Sequence, residues 1–193
     1  MPTKKKVAKK KAAKRKAPAR KSVPARKKAK PVPAGFHTVT PHLVLDECAR
    51  AIEFYKEAFG ARELRRMAAP GGKIAHAEIQ VGDSTIMMND EMPAMPGQPG
   101  VYKSPRSAGL ATSALFLYLK DADAAFHRAV KAGCTTRQPP TDMFWGDRYA
   151  QVIDPFGHTW ALATHVEDVS PAEIARRERE LSAKVQQGGV RQA

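Results

Sequence analysis

Two cysteines in 193 residues, Cys48 and Cys134, are too few for a disulfide scaffold and suit a reducing compartment. No apolar run approaches the roughly 20 residues that span a bilayer, which excludes a helical membrane protein. The first 35 residues contain none of the chain's 19 Asp and Glu, and no aromatic side chain interrupts them. They hold 15 of the 33 Lys and Arg, so the net charge of +14 is concentrated there. The other 158 residues carry 18 basic and 19 acidic groups, a net of −1.

Residues 1–35 therefore read as a disordered Lys/Arg/Ala/Pro-rich arm, with too little apolar surface to offset chain entropy and with charges that repel one another. Its composition resembles the tails of linker histones and bacterial histone-like proteins. The cations expected to contact DNA are Lys4, Lys5, Lys6, Lys9, Lys10, Lys11, Lys14, Arg15, Lys16, Arg20, Lys21, Arg26, Lys27, Lys28 and Lys30. Dense positive charge neutralises phosphates without reading sequence, and the missing aromatics exclude base stacking on the arm. A solubility tail or a binder of any polyanion has the same composition. No apolar stretch follows to make a secretory signal, and Lys outnumbers the Arg and Ser of a transit peptide. The expected location is cytoplasmic, with nucleoid association through the arm.

The remainder repeats itself. Leu43-Val44-Leu45 precedes a helical pattern from Cys48 to Phe59 that ends at Gly60; Leu115 to Leu119 precedes another, from Ala122 to Ala132, that ends at Gly133. The two glycines lie 73 positions apart, as do His76-Ala77-Glu78-Ile79 and Tyr149-Ala150-Gln151-Val152. Each copy then meets a turn, Val81-Gly82-Asp83 or Asp154-Pro155-Phe156-Gly157, and a closing strand, Thr85–Asn89 or Thr159–Thr164. The pattern predicts an α+β fold of two tandem βαβββ modules, at about 38–90 and 110–165. A Pro/Gly-rich loop of 19 residues, Glu91 to Gly109, joins them and reads as a lid. Ser170-Pro171-Ala172-Glu173 is a capping box that starts a C-terminal helix within 169–193, fading near Gly188-Gly189.

HLVLDECARAIEFYKEAFGA and MFWGDRYAQVIDPFGHTWALATH resemble the vicinal oxygen chelate superfamily of glyoxalases, bleomycin-resistance proteins and extradiol dioxygenases, most closely its PhnB-like branch. The resemblance covers residues 36–168. It implies paired modules whose mixed sheets form an open barrel around a cavity, commonly in a homodimer. It also places the four metal ligands of the metal-dependent members on Thr40, Met87, Ala114 (or Ser113) and Ala161. None supplies an imidazole or a carboxylate, so no metal and no cofactor is expected. A slip of two residues would bring His42 to the first position.

Strand parity then chooses the pocket. If Leu43 and Leu45 pack on the helix, Thr40, His42 and Val44 face inward. The ligand-binding candidates are Thr40, His42, His76, Glu78, Met87, Asn89, Trp145, Arg148, Tyr149 and Gln151, with Trp145 beside Arg148 and Tyr149 as a clamp for a planar or anionic ligand. Local packing of Trp145, with Asp147 pairing Arg148, is the alternative. His42, His76 and Glu78 are the candidates for proton transfer or a non-standard metal site; hydrogen bonding to neighbouring strands or water, without chemistry, is the favoured reading of the three. His158 and His165 read as turn and edge residues, and the cysteines lack a neighbouring base. Three functions follow: a metal-independent binder of a small organic molecule, a lyase, isomerase or dioxygenase using His42, His76 and Glu78, or a dimeric scaffold delivering basic arms to DNA.

Overall fold

The computed structural model describes residues 29–93 and 102–189. Residues 1–28 of the expected arm, with all its DNA-binding candidates except Lys30, lie outside the described residues; Lys30 is exposed, and the end of the expected arm is held to the domain, where the Gly35 carbonyl accepts from Thr85 Oγ1 at 2.6 Å. A compact unit begins at Val32. Its first module runs β1 (His42–Leu45), α1 (Cys48–Phe59), β2 (Arg62–Ala68), β3 (Ile74–Val81) and β4 (Ser84–Asp90). A short helix, α2 (Pro105–Ala108), precedes the second: β5 (Ala114–Tyr118), α3 (Ala122–Ala132), β6 (Thr135–Asp142), β7 (Asp147–Ile153) and β8 (Thr159–His165). Helix α4 (Pro171–Gly189) follows, with Ser170 Oγ accepting from the Glu173 amide at 3.3 Å.

Each module forms a four-stranded mixed sheet, in the orders β1-β4-β3-β2 and β5-β8-β7-β6. The first strand of each is parallel to the fourth, and the other pairs are antiparallel. The helices form because Cys48, Ala51, Ile52, Tyr55, Ala58 and Phe59, and likewise Ala122, Ala125, Phe126 and Ala129, recur at helical spacing and bury one face. Gly60, at φ 67°, ends α1 in the left-handed region that glycine adopts without strain.

Helix starts are fixed by the fourth strands. Asp90, at the end of β4, accepts the Cys48 amide at 2.9 Å and the Ile74 amide at 2.7 Å, while Glu47 makes no side-chain cap. In the second module Thr164 Oγ1 accepts the Ala122 amide at 2.8 Å, and Asp121 caps Ala124 at 2.8 Å. Three helix-start amides, and the Ile74 amide that opens β3, are satisfied this way.

One core serves both modules. The helix-facing residues Leu43, Leu45, Ala77, Ile79 and Met88 of one sheet join Ala150, Val152, Trp160 and Leu162 of the other, with both helices. Tyr55 and Phe59 of α1 lie 5.1 and 4.4 Å from the Trp160 ring of the other module. At this junction the buried Asp154 carboxylate accepts from Tyr55 Oη at 2.7 Å, Trp160 Nε1 at 2.8 Å, and the Phe156 and His158 amides at 2.9 Å each. Among the described residues no ladder joins the two sheets, so the barrel is open.

The connection read as a lid contains α2, which Ser104 caps and Pro105 starts. Arg106 reaches Asp46 at 2.5 Å and Glu47 at 2.7 Å, tying that turn to the first module. Residues 94–101, the centre of the expected lid, lie outside the described residues.

Candidate ligand site

The face of each sheet turned away from the helices carries the polar and aromatic candidates. On the first sheet the ladders align His42, Met87, Glu78 and Arg65 across β1, β4, β3 and β2, with Asn89, His76 and Met67 one step along. Glu78 is buried, and its Oε1 takes both Arg65 Nη2, at 2.7 Å, and His76 Nε2, at 3.0 Å. The Arg65 hydrogen bond holds the Glu78 carboxyl below the usual range against the opposing effect of burial, with His76 adding to the lowering. A carboxylate so held is a weak proton acceptor. The His42 ring stands edge-on to His76 with centroids 6.4 Å apart. Thr40 lies before β1, where its hydroxyl donates to the His37 carbonyl at 3.2 Å.

The second sheet is an aromatic wall. Phe116 and Tyr118 of β5 are 48% and 66% exposed, and their ring centroids lie 5.0 Å apart. Phe116 is 5.7 Å from Tyr149, which is 5.9 Å from Trp145, which is 5.0 Å from Phe144. The ladders set Phe116 and Tyr118 opposite Ala161 and Ala163 of β8, whose methyl groups leave the space the rings occupy. Gln151 Nε2 donates to Tyr149 Oη at 3.1 Å. Phe116 and Tyr118 were not among the sequence candidates, although alternation in Leu115-Phe116-Leu117-Tyr118 carries the signal.

Arg148 does not join Trp145. It adjoins Tyr149 on one strand and so points to the opposite face, where Asp123 of α3 holds Nε and Nη2 at 2.9 Å each and Asp142 holds Nη1 at 3.2 Å. Asp147, the alternative partner, instead accepts from Trp145 Nε1 at 2.9 Å, Tyr118 Oη at 3.1 Å and His165 Nδ1 at 2.8 Å.

Register also relocates the positions at which the family's metal ligands would stand. His42, not Thr40, pairs with Met87, and Phe116, not Ala114, pairs with Ala161; Ala114 pairs with Thr159. The resulting quartet is an imidazole, a thioether, a phenyl ring and a methyl group. That set does not fit a Zn, Ni or Fe centre, which needs imidazole, carboxylate or thiolate donors. Nor do the described residues contain another group of three His, Cys, Asp or Glu arranged to hold a metal.

The two edge strands β1 and β5 border a cavity of about 470 Å³. His42 and Phe116 both line it, with His37, Val39, Leu115 and Leu117 among the others. His76, Glu78 and Asn89 on one sheet and Trp145, Tyr149 and Gln151 on the other lie outside its lining. Among the described residues, one sheet thus presents a polar face and the other an aromatic face, and His42 and Phe116 bring the two together at this seam. His158 crosses the seam, with Nε2 at 3.2 Å from the Val44 carbonyl, and burial lowers its pKa from the ordinary histidine value. Burial pushes both cysteine thiols up to about 12, which leaves them inert as nucleophiles.

Comparison with known proteins places this geometry. A model described as "Glyoxalase/Bleomycin resistance protein/Dioxygenase superfamily" matches residues 35–162. The Mycobacterium tuberculosis H37Rv protein Rv0887c is 44% identical over 136 residues, covering 70% of this chain and 79% of its own. The crystal structure of TioX from Micromonospora sp. ML1 superposes with a TM-score of 0.53 at 28% identity, covering 66% of this chain and 97% of TioX. A glyoxalase/bleomycin resistance protein/dioxygenase from Nocardioides shares the fold with a TM-score of 0.51 at 22% identity, covering 70% of this chain and 87% of its own.

Proposed function

The chain belongs to the glyoxalase/bleomycin resistance protein/dioxygenase superfamily, and we propose that within it this protein binds a planar, largely apolar organic molecule without a metal. The observation that carries this is the aromatic wall of Phe116, Tyr118, Tyr149 and Trp145, part of it exposed and none of it spent on the shared core. Rings at these spacings offer offset or edge-on contact to another π-system, and Gln151 and the Tyr149 hydroxyl supply a polar edge that orients it. The donor set at His42, Met87, Phe116 and Ala161 supports metal independence. Assignment to the PhnB-like branch belongs to the same reading and rests on the sequence motifs.

The binding unit is a homodimer. The polar half-site of one protomer and the aromatic half-site of its partner then enclose one cavity, with edge strand β5, which carries neither charge nor proline, as the pairing edge. The basic arm adds weak, sequence-independent attachment to DNA, whose affinity falls with salt by about 0.9 log units per log unit of salt for each phosphate engaged. Removing residues 1–33 should abolish DNA retention while leaving ligand binding intact; retention by the truncated protein would overturn the assignment.

Ligand binding is tested by titrating the neutral fluorescent aromatic N-phenyl-1-naphthylamine into the full chain. Saturable binding that weakens at least tenfold in Phe116→Ala, the loss of roughly 1.4 kcal/mol, is expected. Equal binding by the variant would refute the wall as the site. An acid–base enzyme is the second reading, favoured by the 3.0 Å contact between His76 and Glu78. It requires turnover to collapse in Glu78→Gln while the fold persists.

A further inference from the structure

Asp147 is 2% exposed and takes three side-chain donors, one from each of three different segments. Trp145 Nε1 and Tyr118 Oη share its Oδ2, while His165 Nδ1, from the end of β8, holds Oδ1. The other nitrogen of His165 lies 3.0 Å from Oδ1 of Asp168, which stands in the segment leading to α4. That segment crosses directly over the Trp145 turn. The Val166 and Glu167 amides both donate to the Gly146 carbonyl, at 2.9 and 3.0 Å. Gly146 has φ +100°, and a Cβ there would come within 2.1 Å of the Glu167 carbonyl oxygen, so only glycine permits the crossing.

We propose that Asp147 is a positioning residue for the aromatic wall: clamped by the imidazolium of His165, it sets the Trp145 and Tyr118 rings in the geometry presented to ligand. This rests on the wall being the ligand site. A histidine between two carboxylates can donate from both nitrogens only when protonated. Asp147 of β7 and Asp168 are the charged groups that face it. Glu167, which follows it closely in the chain, is paired with Arg177 of α4 at 2.7 Å, and Glu173 binds Arg176 and Arg177. Asp168 first and Asp147 second raise the His165 pKa above the ordinary histidine value. When the proton leaves, one ring nitrogen turns a lone pair toward a carboxylate. The contact to the exposed Asp168 opens, and Asp147 loses the cation that balances it beneath two aromatic donors. The clamp therefore tightens the wall below the raised pKa and slackens it above.

Two readouts on the full chain test this. Ring ¹⁵N resonances of His165 and the indole N–H resonance of Trp145, assigned with Trp145→Phe, are followed from about pH 5 to about pH 9 without ligand, a range spanning the ordinary histidine value. The indole resonance is expected to move on the same curve as His165. Asp168→Asn, an exposed change that spares the fold, should shift both midpoints down together, and His165→Gln should flatten the indole response. Affinity for N-phenyl-1-naphthylamine should fall roughly three- to tenfold between the two ends in the wild type, part of the worth of the charge-assisted bond being lost because the rings keep their other contacts, and stay level in His165→Gln. An indole resonance that ignores His165 titration overturns the clamp, whether or not the probe binds. A coupled resonance with no probe binding at any pH upholds the clamp and removes the aromatic-ligand reading instead.

Discussion

Tyr55→Phe isolates the bond that ties the two modules together. The phenol of α1 donates at 2.7 Å to Asp154 of the second module, one of four donors that the buried carboxylate receives. Phenylalanine keeps the ring contacts with Phe59, Phe156 and Trp160 and strands no polar group, since three donors remain on the carboxylate. The cost is therefore the net worth of one hydrogen bond to a charged acceptor, about 1.5–3 kcal/mol. Removing the carboxylate instead, as in Asp154→Ala, would leave four buried donors unpaired at about 1–3 kcal/mol each, a total comparable to the whole stability of a domain. That variant should fail to fold, which makes the phenylalanine substitution the informative one. Urea unfolding followed by tryptophan fluorescence should show a lower midpoint with an unchanged slope, and melting should drop by about 4–8 °C for a loss of about 2 kcal/mol. Trp160→Phe shares Oδ2 with Tyr55, so the double variant should be non-additive. A Tyr55→Phe protein within about 0.5 kcal/mol of wild type would show that Asp154 does not carry the junction.

Three further outcomes follow from the same geometry. Cys48 and Cys134, with thiols raised to about 12, should resist a thiol-specific reagent in the native state and react fully in denaturant. His158 and His165 act on opposite limbs of the pH–stability curve. Because burial lowers the His158 value, its contribution is complete above the ordinary histidine pKa and is lost as pH falls through the lowered one. The raised His165 contribution is complete below the ordinary value and is lost as pH rises through the raised one. His158→Gln should flatten the acid limb and His165→Gln the alkaline limb in unfolding measured across pH. Gly146→Ala should cost about 3 kcal/mol or more, through positive φ and collision with the Glu167 carbonyl, and thermal unfolding will show it.

The periodic features were readable from residues alone. Both modular helices occupy the spans that the apolar spacing and terminal glycines mark, and the offset of 73 survives as two sheets of the same strand order. Alternation also places Ala77 and Ile79 in the core and Glu78 on the other face. Register was not readable, because β1 is four residues long and parity alone is satisfied equally by Thr40 and His42. Long-range satisfaction was hidden as well. The amide that starts α1 finds its acceptor 42 positions away, at Asp90. The pairing of Arg148 with Trp145 failed for a reason that was legible: consecutive strand residues face opposite ways, and Arg148 finds Asp123 on the helix side. Leu115 to Leu119 reads as one apolar run; its alternation sets Phe116 and Tyr118 on one face, and their exposure is what identifies that face as wall and not core.

Metal-free binding on the aromatic wall is tested most directly by isothermal titration of full-length protein, stripped with chelator and verified by elemental analysis, with N-phenyl-1-naphthylamine. The stripped protein is expected to bind as the untreated protein does, and Phe116→Ala is expected to lose the heat of binding. Binding that returns only when Zn or Ni is restored, with stoichiometric metal retained through His42, would contradict it.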